Sequence, residues 1–356
     1  MKRTSAITID DVAQRAGVSV ATVSNVLNGR EARMRAETLA RVRQAISDLG
    51  FRPNQSARRL KIGHMPMIGL LVPSIANPFF GTLARWIEDA AIARGYGVLL
   101  CNTQRSAERE QEYAQAFMAQ GVQGVIVGSA LQAQEHLAPL IRGGLAVASF
   151  DRTAQHADLL MDYVSLDNRL AGAMAAEHLL ALGHRDIAYV SAPIRSVNRI
   201  ARMEGVLEAC ARGGARIEVQ FGDVPAGQAE VEMAEIGRTA ALARQAQGCR
   251  ATGYVAMNDM VAIGLLAGLR QTGRRVPEDV SVVGIDDLFL GQYLSPALST
   301  VRQPMREMAT AAVERVLARM KNSDEVPHEL VFAPELVARE STAALGLVEN
   351  PRSLSA

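Results

Sequence analysis

The sequence is poor in the residues that mark several common protein classes. Its three cysteines, Cys101, Cys210 and Cys249, are an odd number and show neither the paired spacing of a zinc or redox site nor the count of a disulfide framework. Aromatic residues make up 4% of the chain, with Trp86 the only tryptophan, and its place in a helical pattern predicts packing within a lobe rather than lining a pocket. The opening MKRTSAITIDD lacks the apolar stretch of a secretory signal, and no apolar run approaches the length of a membrane span, so a cytoplasmic protein without membrane contact is expected. Walker-type GxxxxGK[ST], GxSxG and HExxH patterns are absent, and the GYG at residues 95–97 does not continue to GxGxxG. His178 and His184 are spaced badly for sharing a helix face, and the adjacent Asp286 and Asp287 at a strand end point in different directions, which argues against a catalytic pair. No catalytic residue, metal ligand or cofactor is expected. The polar tail after Leu347 carries no apolar heptads.

What the chain does have is an uneven distribution of charge. Residues 1–63 hold twelve Lys/Arg against five acids, a net of +7, whereas the remaining 26 basic and 32 acidic groups give −6, so a total of +1 conceals a basic head on an acidic body. Such a head is suited to phosphate binding. Within it, TIDDVAQRAGVSVATVSNVLN reads as two short helices about a turn. Thr8 and Asp11 have capping-box spacing, Val12 and Ala16 form one apolar stripe, and Gly17 fits a left-handed turn. Ser19 is placed to cap the second helix, whose Val23, Val26 and Leu27 face inward while Val20, Ala21 and Asn25 point out. A third amphipathic helix is expected at Ala36–Leu49 from the recurrence of Leu39, Val42, Ile46 and Leu49. Three helices with one outer face free are how a helix is offered to the DNA major groove.

After Pro53, the segment NQSARRLK has helix-forming composition but is too short to be stable alone. From Met67 onward, short apolar runs (MIGLLVP, VLLCN, GVIVG, LAVASFD, DIAYVSA, TGYVAMN, VSVVGID) alternate with amphipathic stretches, the pattern of buried parallel strands with crossover helices. A body of this length exceeds one ordinary core, so two α/β subdomains are expected. Ligands of such sheets sit beyond the strand C-terminal ends. The residues closing these runs are therefore the pocket candidates: Ser74, Asn77, Phe79 and Phe80; Asp151 and Arg152; Asn258 and Asp259; Asp286 and Asp287. Carboxylates and a guanidinium facing one cleft suit hydroxyl-rich ligands. For Asn258 and Asp286 a local helix-capping role is the competing reading.

These pieces together, TIDDVAQRAGVSVATVSNVLNG, GFRPNQSARRLKIG, NPFF, GHRDIAYV, MND, VGIDD, SPALSTVRQP and LVARESTA, resemble the lactose/galactose-repressor (LacI/GalR) family over nearly the whole chain. The resemblance implies an all-α helix-turn-helix head and a two-lobed α/β core of the periplasmic-binding-protein type whose chain crosses between the lobes three times. It divides the chain into a DNA-binding domain at residues 1–52, a hinge helix and linker at 53–64, an effector-binding and dimerisation core at 65–343, and a tail at 344–356. By matching motif positions, Val20, Ala21 and Asn25 would read bases, with Ser19, Thr22 and Ser24 near phosphates. Ala57, Arg58 and Leu60 would belong to the hinge, with Leu60 the minor-groove wedge. Arg202, near Asn198, would be the ligand-gripping arginine. One departure is Val224 in FGDVPAG, where the family often has an aromatic residue. The expected protein is a homodimeric repressor of a pseudo-palindromic double-stranded DNA operator, controlled by a small metabolite. A sugar or sugar derivative is favoured, a purine or nucleoside comes second, and a stand-alone solute-binding protein third.

Overall fold

The computed structural model describes residues 8–27, 34–49, 67–129, 131, 133–153, 159–193, 196–222, 233–246 and 250–346. The chain divides into two compact units, Met1–Met65 and Pro66–Ala356. The hinge residues Ala57, Arg58 and Leu60, the departure at Val224, and Cys249 lie outside the described residues.

In the first unit, α1 (Ile9–Ala16) begins with a reciprocal cap: Asp11 N–H donates to Thr8 Oγ1 at 3.3 Å and Thr8 N–H donates to the Asp11 carboxylate at 2.7 Å. These bonds occupy two donors that a helix start leaves without partners, and the Thr8 N–H and hydroxyl, both donating to the Asp11 carboxylate, hold that carboxyl below its ordinary pKa. Gly17, at φ 63°, ends α1 in the left-handed region. Ser19 Oγ then accepts from Thr22 N–H at 3.2 Å at the start of α2 (Val20–Leu27), and α3 (Ala36–Leu49) follows. Val12, Ala16, Val23, Val26, Val42 and Ala45 close a small core among the three helices.

The second unit is built on two six-stranded sheets. One contains β1 (Met67–Val72), β2 (Gly97–Asn102), β3 (Gly124–Val127), β4 (Ala146–Phe150) and β5 (Asp162–Leu166), with β11 (Glu329–Phe332) as its outer strand, in the order β11-β5-β4-β3-β1-β2 and parallel throughout. The other contains β6 (Asp186–Ser191), β7 (Arg216–Phe221), β8 (Gly253–Ala256), β9 (Ser281–Asp286) and β10 (Ser299–Arg302), with an antiparallel β12 (Glu335–Val337), in the order β12-β10-β9-β8-β6-β7. Helices α4 (Pro78–Ile92), α5 (Ala107–Ala119) and α6 (Ala138–Arg142) link strands of the first sheet; α7 (Asn168–Ala181), α8 (Val197–Arg212), α9 (Met233–Ala246) and α10 (Asp259–Gln271) go with the second; α11 (Met305–Lys321) returns to pack on α4 and β4. Among the described residues the chain therefore passes between the two sheets three times, after Leu166, after Arg302 and after Phe332.

The seven apolar runs read in the sequence are β1–β4, β6, β8 and β9. The remaining strands carried weaker signals. Strand β5 opens on Asp162, a fully buried carboxylate held by Arg319 at 2.8 Å and by Arg315 at 3.2 Å. Strand β7 is an edge, and RIEVQF is correspondingly half exposed. Two helix pairs in the second lobe meet backbone to backbone. A Cβ on Gly205 of α8 would lie 1.9 Å from the Arg169 carbonyl oxygen of α7, and one on Gly264 of α10 would lie 1.7 Å from the Ala234 carbonyl oxygen of α9. Only glycine permits approaches this close.

Candidate functional site

The head presents the outer face of α2. Val20, Ala21 and Asn25 are exposed while Val23 and Val26 are buried, as a helix needs if one face is to pack and the other to meet a groove. Thr22 Oγ1 lies 3.0 Å from Ser19 Oγ, so the two hydroxyls sit together at the helix N-terminus beside half-buried Ser24.

In the second unit the C-terminal ends of β4 and β9 bring a buried ionic cluster together between the two sheets. Arg202, 4% exposed, projects from α8. Its Nε donates to Asn168 Oδ1 at 2.7 Å, and its Nη1 donates to the Met257 carbonyl at 3.0 Å and to Asp286 Oδ1 at 3.4 Å. Its Nη2 stands 3.9 Å from Asp151 Oδ2. Asn168 Nδ2 donates to Asp151 Oδ1 at 2.8 Å, Asn198 Nδ2 donates to Asp151 Oδ2, and Gln303 Nε2 donates to Asp286 Oδ1 at 2.7 Å. A single guanidinium thus bridges a carboxylate from each lobe.

Both carboxylates sit on backbone that L residues rarely adopt. Asp151 has φ 56°, Asp286 φ 134° and Asp287 φ 53°, and strain of this kind is retained where the surroundings over-determine a functional geometry. Burial pushes the Asp286 carboxyl up to about 7; Arg202 opposes the shift and buried Asp259 adds to it. Asp259, raised by burial, binds Thr300 Oγ1 at 2.6 Å and Leu288 N–H at 2.7 Å, which fixes the loop that follows β9. Asp287 turns the other way and accepts from Arg302 at 2.7 Å and from Arg339 at 2.5 Å. The two adjacent aspartates do point apart.

Two cavities flank the cluster. One of about 290 Å³ is bordered by Asp151, Arg152, Ser165, Asn168, Asn198 and Val331. The other, of about 790 Å³, is bordered by Phe79, Trp86, Asp286, Phe289, Gln303 and Met305 among others. Buried Gln303 Oε1 has no hydrogen-bond partner among the described residues, an acceptor left for a donor from outside.

The structure thus gathers Asp151, Asn198, Arg202 and Asp286 into one cluster with Arg152 on its border, where Arg152 Nη1 donates to the Leu131 carbonyl. Phe79 forms a cavity wall and packs edge-on against buried Phe80, with ring centroids 5.1 Å apart. Asn258 Oδ1 accepts from Val261 N–H at 3.0 Å and Asn77 Oδ1 from Phe79 N–H at 3.1 Å, so each caps the helix that follows it. Ser74 Oγ accepts locally from Ala76 N–H at 3.2 Å. Trp86 packs against the first lobe's core, as its helical position predicts, and in addition borders the larger cavity.

Residues 8–54 match the family model of bacterial regulatory proteins of the lacI family, and residues 176–342 match a periplasmic binding protein-like domain. An uncharacterized HTH-type transcriptional regulator from Streptomyces limosus is 36% identical over 94% of this chain and 93% of its own length. The chain belongs to the LacI family. Among solved structures similar to this LacI-family chain, a lac repressor dimer bound to operator and the anti-inducer ONPF superimposes with a TM-score of 0.82 at 26% identity, covering 95% of this chain and 100% of the other. A LacI family regulator from Enterococcus faecium with bound ribose has a TM-score of 0.69 at 29% identity, covering 78% and 99%. The matched relatives are transcriptional regulators. Among the described residues no helix is long and apolar enough to cross a membrane.

Asn168 and Gln303 were not singled out in the sequence. Asn168 follows Asp167, the N-cap of α7, and so reads as part of a helix start. Gln303 sits in STVRQP, where nothing in the local pattern distinguishes it from a turn residue; it reaches Asp286 because β10 pairs with β9, with Arg302 in register with Asp286.

Proposed function

We propose that this LacI-family chain is a cytoplasmic, homodimeric transcriptional repressor that binds a pseudo-palindromic DNA operator and releases or grips it in response to a small metabolite held between its lobes. The observation that carries the reading is Arg202, buried between Asp151 and Asp286, which links the two lobes through one guanidinium. A ligand whose hydroxyls replace these bonds changes the relative stability of two lobe arrangements, and its effect is limited by its differential affinity for them.

A sugar or sugar derivative is the favoured effector. Two carboxylates, one guanidinium and three carboxamides, one of them with an unmatched carbonyl oxygen, supply alternating acceptors and donors for vicinal hydroxyls. The ribose held by the Enterococcus faecium relative agrees with that choice. In the head, Asn25 is suited to adenine, Val20 and Ala21 to thymine methyl groups, and Ser19, Thr22 and Ser24 to phosphates. Ala57, Arg58 and Leu60 are assigned to the hinge on sequence grounds. Dimerisation follows because one short recognition helix reads too few bases for an operator. No catalytic role is assigned to the cleft, whose carboxylates are held by amides and a guanidinium rather than by a proton-relay partner.

Thermal unfolding of the purified protein against sugars, sugar acids, nucleosides and purines tests the reading, since a ligand at 100 times its dissociation constant adds about 2.7 kcal/mol of stability. A shift from one chemical class, lost in Arg202→Ala, is the expected result. A shift from purines alone would replace the sugar assignment, and no shift from any class would overturn control by a cleft ligand of these kinds.

A further inference from the structure

The larger cavity carries a feature that the effector cluster does not use. Trp86 on α4 has two guanidiniums against one indole: Arg85 Cζ lies 4.1 Å from the ring centroid and Arg306 Cζ, from the first turn of α11, lies 5.5 Å from it. A single cation on an aromatic face is ordinary, but two on the same ring repel each other. Among the described residues neither Arg85 nor Arg306 is within ion-pair distance of a carboxylate. The acids that line the same cavity are otherwise engaged: Asp286 with Arg202, and Asp287 with Arg302 and Arg339. Glu307, the third, neighbours Arg306 in sequence without bonding to it. The remaining wall combines apolar Phe79, Leu288, Met305 and Phe289, the last 60% exposed, with polar Thr82, Arg302 and Gln303.

The geometry points to a second ligand site here, for a small organic phosphate. Its phosphoryl oxygens are shared between Arg85 and Arg306 over the Trp86 ring, and its carbon skeleton is covered by Phe79 and Phe289. Arginine is the side chain best matched to phosphate geometry, and one dianion relieves the repulsion between the two guanidiniums. A volume of about 790 Å³ accommodates a phosphorylated metabolite of ordinary size. Arg85 and Arg306 belong to helices packed on the first sheet, whereas Leu288 and Phe289 belong to the loop after β9 of the second. A bound phosphate therefore favours lobe positions that keep Phe289 over it, and so modulates the effector's action from a subsite of a cavity that Asp286 and Gln303 of the effector cluster also border. The proposal does not depend on the identity of the effector.

Trp86 is the only tryptophan and lines this cavity, so its emission reports binding there. Titrations of the full chain with ribose 5-phosphate, inorganic phosphate and ribose are expected to give a saturable change with the two phosphates and none with ribose. Arg306→Gln and Arg85→Gln, each checked by unfolding for an intact fold, are expected to weaken phosphate binding at least about tenfold, equivalent to about 1.4 kcal/mol. A folded Arg202→Ala variant is expected to keep the phosphate affinity within about twofold while losing its response to the effector. The site is overturned by the absence of a saturable change with either phosphate, or by unchanged affinity in both arginine variants. Loss of the phosphate response in folded Arg202→Ala also overturns it, because it would assign the anion to the effector cluster.

Discussion

Gly172 of α7 sets the position of Arg202: a Cβ at residue 172 would lie 1.9 Å from the Arg202 carbonyl oxygen, so the absence of a side chain there lets α8 approach closely enough for the guanidinium to reach both lobes. Gly172→Ala is expected to force the helices apart, to destabilise the fold by about 1–3 kcal/mol, and to weaken effector binding more than a surface substitution of equal destabilisation. Urea unfolding and effector calorimetry on the same variant check both parts; unchanged effector affinity would separate helix packing from the site.

Arg202→Ala leaves Asp151 and Asp286 buried without their shared cation. Breaking a buried pair from one side costs about 3–5 kcal/mol, so a clear fall in the unfolding midpoint is expected together with loss of effector response. The double variant with Asp286→Asn is expected to recover much of the stability and none of the response. Calorimetric unfolding with and without ligand distinguishes the two effects.

Asp286 makes the cleft sensitive to pH. Burial raises its carboxyl to about 7, so the folded state holds this proton more tightly than the unfolded chain. Its contribution to stability is complete below the ordinary aspartate pKa of about 3.9 and is lost as pH rises through the folded value. Ligand hydroxyls donate to the ionised form, so effector affinity is expected to change in the opposite sense, rising across about one unit either side of that pKa. Asp286→Asn is expected to flatten both profiles, and titration calorimetry across the range measures the second.

On the DNA side, Asn25→Ala is expected to cost about 1–3 kcal/mol at one base pair of each half-site and to relax selection there, leaving non-specific binding unchanged. Leu60→Ala, whose position lies outside the described residues, is expected to weaken specific binding far more than non-specific binding. Competition binding on wild-type and single-substituted operators reads both; equal losses on specific and random DNA would remove the base-reading and wedge roles.

The parts of this fold that sequence makes visible are those with a local cause. The Thr8–Asp11 cap, the left-handed Gly17, the three-residue and four-residue apolar steps of α3 and the continuous apolar runs of β1 and β9 all follow from neighbours in the chain. Strand β5 was obscured because its first residue, Asp162, is a carboxylate made tolerable by two arginines more than 150 positions away. Within the site, Asp151, Arg202 and Asp286 were legible as polar ends of apolar runs or as family motif positions. Asn168 and Gln303 were not, because each acts across a strand pairing, β4 with β5 and β9 with β10, that no local pattern displays. Asn77 and Asn258 show the converse: a polar residue closing a strand also has a helix to start, and their side-chain oxygens do that.

Asn168 and Gln303 occupy a special place along the chain. Asn168 stands at the start of the first passage between the sheets and Gln303 at the start of the second, and the first and third passages are tied by the bond from Asp167 N–H to the Phe332 carbonyl at 2.8 Å. In the proposed mechanism, the connectors that flex when the lobes turn are therefore the same segments that hold the aspartates. Sensing and bending share their parts, and a molecule that exchanges hydrogen bonds with Asp151 or Asp286 loads the pivot directly, without a relay through either lobe's interior.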